Sequence, residues 1–454
     1  MKTCFRVAAA ALVIGYALFT KSAIAADTNE EAIVALKGQI AGMEEQMLAN
    51  QPVLDGLAKI KLTGYIQSQF QIADTDGAAG FSGGNFPAGN HQRFLIRRGR
   101  LKVNYVNNLT QYVLQFDVTQ GGVAIKDAYL SYNFPWDKKA WTITAGGFDR
   151  PFGFEISYSS SNRESPERSR MYQVLFPGER DLGLKFDYAP DSGPMKFLRA
   201  KVGAFNGMGV TAVENDNNKD IIGRLGVALP FYDQNMALDA GVSMYMGKVR
   251  NGDKYQYAVE GTPKKWMVDS TSTNKNMYYD RNYMGFDAQF YADMPVIGGL
   301  SLRMEFISGD QPSLNGSNTF YIYTTPATGV SPLTTGVYQR KFSGYYVNYV
   351  QNIGLMDQFV LKYDSFDPNT DVEGDDIGLT NANVRVDNFT SADVQWTTLG
   401  FGWVHHMDGN VKLVIYYDMP TNENVSSTLL VGSLLPFKED IKDNVLTVRM
   451  QYKF

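Results

Sequence analysis

The sequence predicts an all-β fold: a 16-stranded antiparallel transmembrane β-barrel with a short N-terminal helix or coiled coil ahead of it. Three observations carry this. From Lys61 onward the chain reads as sixteen segments of period-two alternation, each near the length that crosses a bilayer at a tilt. The connections between them alternate long and short, as a transmembrane barrel requires and a soluble sandwich does not. The last segment, DNVLTVRMQYKF, keeps its alternation to the final residue. Leu446, Val448, Met450, Tyr452 and Phe454 share one parity, and Thr447, Arg449, Gln451 and Lys453 the other.

A length of 454 residues would hold two or three soluble domains or one large barrel. Tyrosine and phenylalanine, 27 each, and 43 glycines suit the barrel. The formal charge of −5 leaves no global basic field for nucleic acid. At the N-terminus, Lys2 and Arg6 precede an apolar core from Val7 to Phe19, and Ala23-Ile24-Ala25 supplies small residues for cleavage. Residues 1–25 therefore read as a secretory signal peptide. The single cysteine, Cys4, leaves with it, so the mature chain has no disulfide and no cysteine metal ligand.

Residues 26–60 carry a different period. Ile33, Leu36, Ile40, Met43, Met47, Leu54 and Leu57 follow a 3-4 spacing, with Asn50 at one seam position and charges off the seam. About three heptads suit a coiled coil between copies of the chain. The alternative is one amphipathic helix packed on the barrel. Pro52 is expected to kink or stop it.

The barrel is expected over 61–454, its first strand Lys61–Ile72 and its last Lys442–Phe454. Long connections fall at 73–92, 150–179, 207–218, 248–280, 310–340, 367–393 and 420–441. The one break in the pattern is QGGV, short where a long loop is due. Short turns mark the periplasmic side, so both termini are expected there. Tyr452 and Phe454 then face lipid in the aromatic girdle of that side. Parity points Arg98, Arg100 and Lys102 of the second strand, and Arg199 and Lys201 of the seventh, into the lumen. Charges at the lipid midplane cost about 2–4 kcal/mol each, so Arg97 is also expected inside, with the alternation slipping there as at a β-bulge.

The 150–179 loop is long and mixed in charge. Arg150, Arg163, Arg168 and Arg170 stand against Glu155, Glu164, Glu167 and Glu179, with Phe152, Phe154, Tyr158, Tyr172 and Phe176 to pack. It is expected to fold inward and narrow the pore rather than lie solvated outside.

Several segments resemble the phosphate-selective porin O and P family: FLIRRGRLKVNY, VAIKDAYLSYNF, TITAGGFDRPFGFE and SPERSRMYQVLFPGERDLGLKFDY. The resemblance implies a trimeric outer-membrane barrel with anion-favouring arginines at its constriction, among them the adjacent Arg97 and Arg98. It also implies that the terminal aromatic strand, with Tyr452 and Phe454, is read by the barrel-assembly machinery. Two features depart from the phosphate-specific members. Tyr65 replaces their first-strand arginine in Gly64-Tyr65-Ile66-Gln67, and the fifth loop has only Lys248, Arg250, Lys254, Lys264 and Lys265. The resemblance thus implies a weakly anion-selective pore for small hydrophilic solutes, phosphate among the candidates. Its partners would be outer-membrane lipid, a homotrimer and anionic solutes. No nucleophile motif or histidine–carboxylate spacing suggests an enzyme, a metal or a cofactor. The rival reading is an outer-membrane anchor that tethers the membrane to the cell wall through the N-terminal helix.

Overall fold

The computed structural model describes residues 29–79, 83–319, 336–377, 388–425 and 432–454. The signal-peptide expectation lies outside them. The chain divides into two units, residues 1–59 and 60–454.

The first unit is helix α1, Asn29–Ala58. It runs through Pro52, which was expected to kink or end it. The carbonyl that loses its partner to proline can be hydrated, because residues 48–54 are all exposed. The apolar side chains Leu36, Ile40, Met43, Met47, Leu54 and Leu57 are also exposed.

Among its described residues the second unit has nineteen strands: β1 (Ile60–Ala73), β2 (Gln92–Asn107), β3 (Thr110–Thr119), β4 (Gly122–Asn133), β5 (Trp141–Asp149), β6 (Arg180–Tyr188), β7 (Leu198–Phe205), β8 (Asp220–Phe231), β9 (Met236–Arg250), β10 (Gln256–Glu260), β11 (Lys265–Asp269), β12 (Tyr278–Met294), β13 (Gly298–Asp310), β14 (Val337–Tyr338), β15 (Lys341–Ile353), β16 (Asp357–Asp367), β17 (Trp396–His406), β18 (Val411–Asn422) and β19 (Val445–Lys453). Sixteen of them form one closed barrel in which chain neighbours pair. β1 and β19 close it antiparallel, from Tyr65 opposite Lys453 to Ala73 opposite Val445. The backbone of Phe454 exchanges two hydrogen bonds with Gly64, both 3.0 Å, so the ladder continues to the last residue. Closure leaves no unpaired edge, which is the condition for a sheet to stand in hydrocarbon.

Alternation sorts the two faces. Leu101, Phe186, Val202, Leu225, Val242, Met284, Phe306, Leu361, Phe401 and Ile415 are exposed on the outer surface. Gln67, Gln69, Arg98, Arg303, Glu305, Lys362, Lys412 and Arg449 are buried on the lumen side. The outer aromatics pair across strands, as Trp141 does with Tyr188 at 4.6 Å, and along one strand, as Tyr452 does with Phe454 at 6.3 Å.

The remaining strands, β10, β11 and β14, make a small separate sheet in the long connections. The sequence reading had treated these stretches as plain loop, since runs of two to five residues are too short to show a period. Tyr257, Trp266, Tyr338, Phe389, Trp396 and Val425 form a buried core beside that sheet. Within it Arg340 pairs with Asp393 at 2.8 Å, both fully enclosed.

Candidate functional site

The long connection between β5 and β6, residues 150–179, enters the barrel and touches nearly every side of its wall. Two kinds of contact hold it, on two different arcs.

Toward β5–β16 the contact is mainly apolar. Phe152, Ile156, Met171, Tyr172, Val174, Leu175 and Phe176 of the loop pack with inward residues of the wall, among them Phe148, Phe205, Ile222, Tyr245, Tyr283, Ile307, Phe342 and Phe366. The short helix α2, Arg170–Leu175, supplies four of these loop residues. Phe176 alone meets the rings of Phe152, Tyr172, Tyr245 and Tyr283 at 5.1–6.0 Å. Glu305 of β13 fastens the entry of the loop. It accepts from the Phe154 and Glu155 amides at 2.7 Å each and from the Tyr172 and Tyr346 hydroxyls at 2.5 Å each.

Toward β18, β19, β1 and β2 the contact is polar and ionic, and further ion pairs reach β4, β6, β13 and β16. Tyr65 Oη meets Ser160 Oγ at 2.5 Å, and Gln67 Nε2 donates to the Ser160 carbonyl at 2.9 Å. Lys412 donates to the carbonyls of Ser161 and Arg163, both at 2.9 Å. Glu167 is gripped by three guanidinium groups: Arg97 at 2.8 Å, Arg98 at 2.7 Å and Arg449 at 2.9 Å. Glu179 meets Lys126 at 2.6 Å and Arg180 at 2.8 Å, and also Arg168. Glu155 pairs with Lys362 and Glu164 with Arg303, each at 2.9 Å. Burial opposes ionisation of Glu167, yet Arg97, Arg98 and Arg449 outweigh it and hold its carboxyl well below the usual carboxylate range. Glu179 is held low in the same way, against burial, by Arg168, Lys126 and Arg180.

Two β-bulges supply part of this grip. In the β1–β2 pairing Gln67 faces Arg98 but Ser68 faces Ile96, so Arg97 is the extra residue. In the β3–β4 pairing Gln115 faces Asp127 and Phe116 faces Ile125, so Lys126 is the extra residue. Each bulge turns inward a cation that strict alternation would have sent to lipid. The slip at Arg97 was legible in its neighbouring charges. That at Lys126 was missed, although Ile125-Lys126-Asp127 repeats the Ile96-Arg97-Arg98 pattern of adjacent charges after an apolar residue.

The other expected pore residues divide. Arg100 pairs with Asp117 at 3.2 Å and donates to Ser160 Oγ at 3.1 Å. With Lys102 and Arg168 it lines a cavity of about 360 Å³ between loop residues 156–161 and the wall from β1 to β6. Arg150, Arg163 and Arg170 do not stand at a water-filled surface as the sequence suggested. All three are enclosed, because the loop buries its own middle against the wall. Arg150 is locked to Asp181 at 3.1 Å, and Arg170 lies over the Trp396 ring at 4.2 Å. Burial and the nearby Arg168 and Arg98 push the Arg163 guanidinium down to about 9. Arg199 is spent on the carbonyls of Pro190, Lys196 and Leu198 near a short turn. Lys201 is half-buried and stands opposite Arg224 in the sheet.

A family model described as phosphate-selective porin O and P matches residues 61–286, from β1 into β12. The chain belongs to that family. Its barrel is similar to OprB of Pseudomonas putida, with a TM-score of 0.53 and 10% identity over 91% of this chain and 97% of that one. It is similar to an anion-selective porin from Comamonas acidovorans, at TM-score 0.50 and 12% identity over 87% and 99%. The outer membrane channel DcaP of Acinetobacter baumannii aligns at TM-score 0.49 and 14% identity over 87% and 97%. At such identities the likeness is one of fold. No curated protein matches the sequence. Family and closed barrel together are those of an outer-membrane channel for solutes.

Proposed function

We propose that the channel passes small hydrophilic solutes by diffusion, with a weak preference for anions. The cavity between the lumen loop and the β1–β6 wall carries this reading. Arg100, Lys102, Arg168, Arg180 and Lys453 line it, against the carboxylates Asp127 and Asp149. Fixed cations in a narrow passage lower the cost of taking an anion from water. The carboxylates cancel part of that field, so the preference is modest and phosphate is one solute among several. The test is the reversal potential of the purified protein in a salt gradient, before and after Lys102→Glu. An anion preference that shifts toward cations in the variant is expected. A cation-preferring wild type, or a potential untouched by the substitution, would sink the reading.

The chain acts as a homotrimer with both termini in the periplasm, and its terminal Tyr452 and Phe454 serve as the signal for barrel assembly. The unpartnered apolar side chains of α1 support association of the helices, since exposed seam residues are buried when copies meet. Deleting residues 27–58 is expected to weaken the trimer in detergent while the barrel keeps its heat-modifiable mobility. A trimer of unchanged stability would favour the tether reading instead.

A further inference from the structure

We infer that the lumen holds two carboxylate-binding sites, filled at rest by the loop's own Glu167 and Glu179, and that the preferred solutes are small carboxylates that exchange with them. This rests on the anion reading above and names its substrate class.

The occupants show what the sites accept. Arg97 meets both oxygens of Glu167 through Nε and Nη2, each at 2.8 Å, in the planar fork that matches a carboxylate. Arg98 adds Nη2 at 2.7 Å and Arg449 adds Nη2 at 2.9 Å. Three positive groups thus converge on one negative one. A free carboxylate offers the same two-oxygen head. A tetrahedral oxyanion can enter the same fork, but it brings oxygens beyond the two that these donors meet. The second site repeats the design with Lys126, Arg180 and Arg168 around Glu179.

The construction separates holder from occupant. Five of the six cations stand on barrel strands, whereas both glutamates belong to the loop. Each site takes one cation from a β-bulge, Arg97 in the first and Lys126 in the second. Arg163 joins the two electrostatically. Its guanidinium is buried beside Arg168 of one site and Arg98 of the other, and none of its three nitrogens has a hydrogen-bond partner among the described residues. A buried cation left so is costly, and it adds positive charge that an arriving anion would offset.

Glu167→Gln keeps the side-chain volume and removes the occupying charge. In planar bilayers, sodium acetate is expected to block the chloride current of this variant at about tenfold lower concentration than in wild type. Sodium phosphate block should change less than acetate block does. Adding Arg449→Gln should return acetate block toward the wild-type level. Unchanged acetate block in a Glu167→Gln channel that still prefers anions would overturn the inference and leave Glu167 as a structural ion pair. A larger gain for phosphate than for acetate would overturn the carboxylate assignment. A cation preference in both proteins would overturn the anion reading itself, and this inference with it. Should Glu167→Gln fail to insert, Glu167→Asp withdraws the carboxylate by one methylene, and an absence of any gain in acetate block there overturns the inference equally.

Discussion

The two arcs of the lumen loop are held by different physics. On the β5–β16 arc, seven loop side chains share a buried apolar core with the wall. On the arc from β18 through β2, the loop is held by carbonyl acceptors and by carboxylates in cationic cradles. The first arc fixes where the loop lies, because a close-packed core tolerates little displacement. The second fixes what the remaining passage presents to a solute. One loop therefore separates position from selectivity, and each can be altered on its own.

The largest effect should come from Glu305, where four donors of loop and wall meet one carboxylate. Glu305→Ala leaves them without that acceptor, at about 1–3 kcal/mol for each buried group. The loop should detach from β13, the single-channel conductance should rise several-fold, and residues 150–179 should become open to protease. An unaltered conductance would remove Glu305 from the account.

Phe176→Ala should come next. It deletes the ring that meets four others, at a cost of about 3–5 kcal/mol. The loss should appear as a lower melting temperature, with the same shift in low and high salt. An Arg97→Gln variant, which breaks the partly exposed pair with Glu167 on the ionic arc, should lose less, and its loss should shrink as salt rises. Equal salt dependence in the two would mean that the arcs do not differ as described.

The smallest effect is expected from acid. Glu155, Glu167 and Glu179 have carboxyls held below their ordinary range, against burial, by Lys362, by Arg97 and Arg98, and by Arg168 and Lys126. A carboxyl depressed on folding contributes stability that is present above its unfolded value and lost as pH falls through the folded one. These ion pairs of the loop should therefore hold between pH 7 and about pH 5, which stays above the unfolded glutamate value of about 4.3. Conductance recorded across that window should stay level, and a sharp opening within it would show that these carboxylates are not so held.

Much of this architecture was legible in the chain. A period of two over 8 to 17 residues, repeated sixteen times, leaves one solution in lipid, a closed barrel. The inward course of the 150–179 loop was readable because five aromatics on a long connection need something to bury them. The site was less legible for a physical reason. Parity tells which way Arg98 or Arg100 points, not which acid meets it. Glu167 lies 69 residues from Arg98 and 282 from Arg449, and nothing local records those encounters. Arg150, Arg163 and Arg170 read as pore residues because a charge on a loop usually finds water. Here the loop encloses its own charges.

The brevity of the β3–β4 connection has a consequence for how solutes arrive. Only residues 120 and 121 join these strands, while the connections from β9 to β19 gather into a packed body with its own aromatic core. Beside β3 and β4 the chain adds two residues beyond the strands, whereas the described residues beyond β9 to β19 include a packed aromatic cluster. A molecule bound on that aromatic cluster would therefore leave the β3–β4 side of the same barrel end clear.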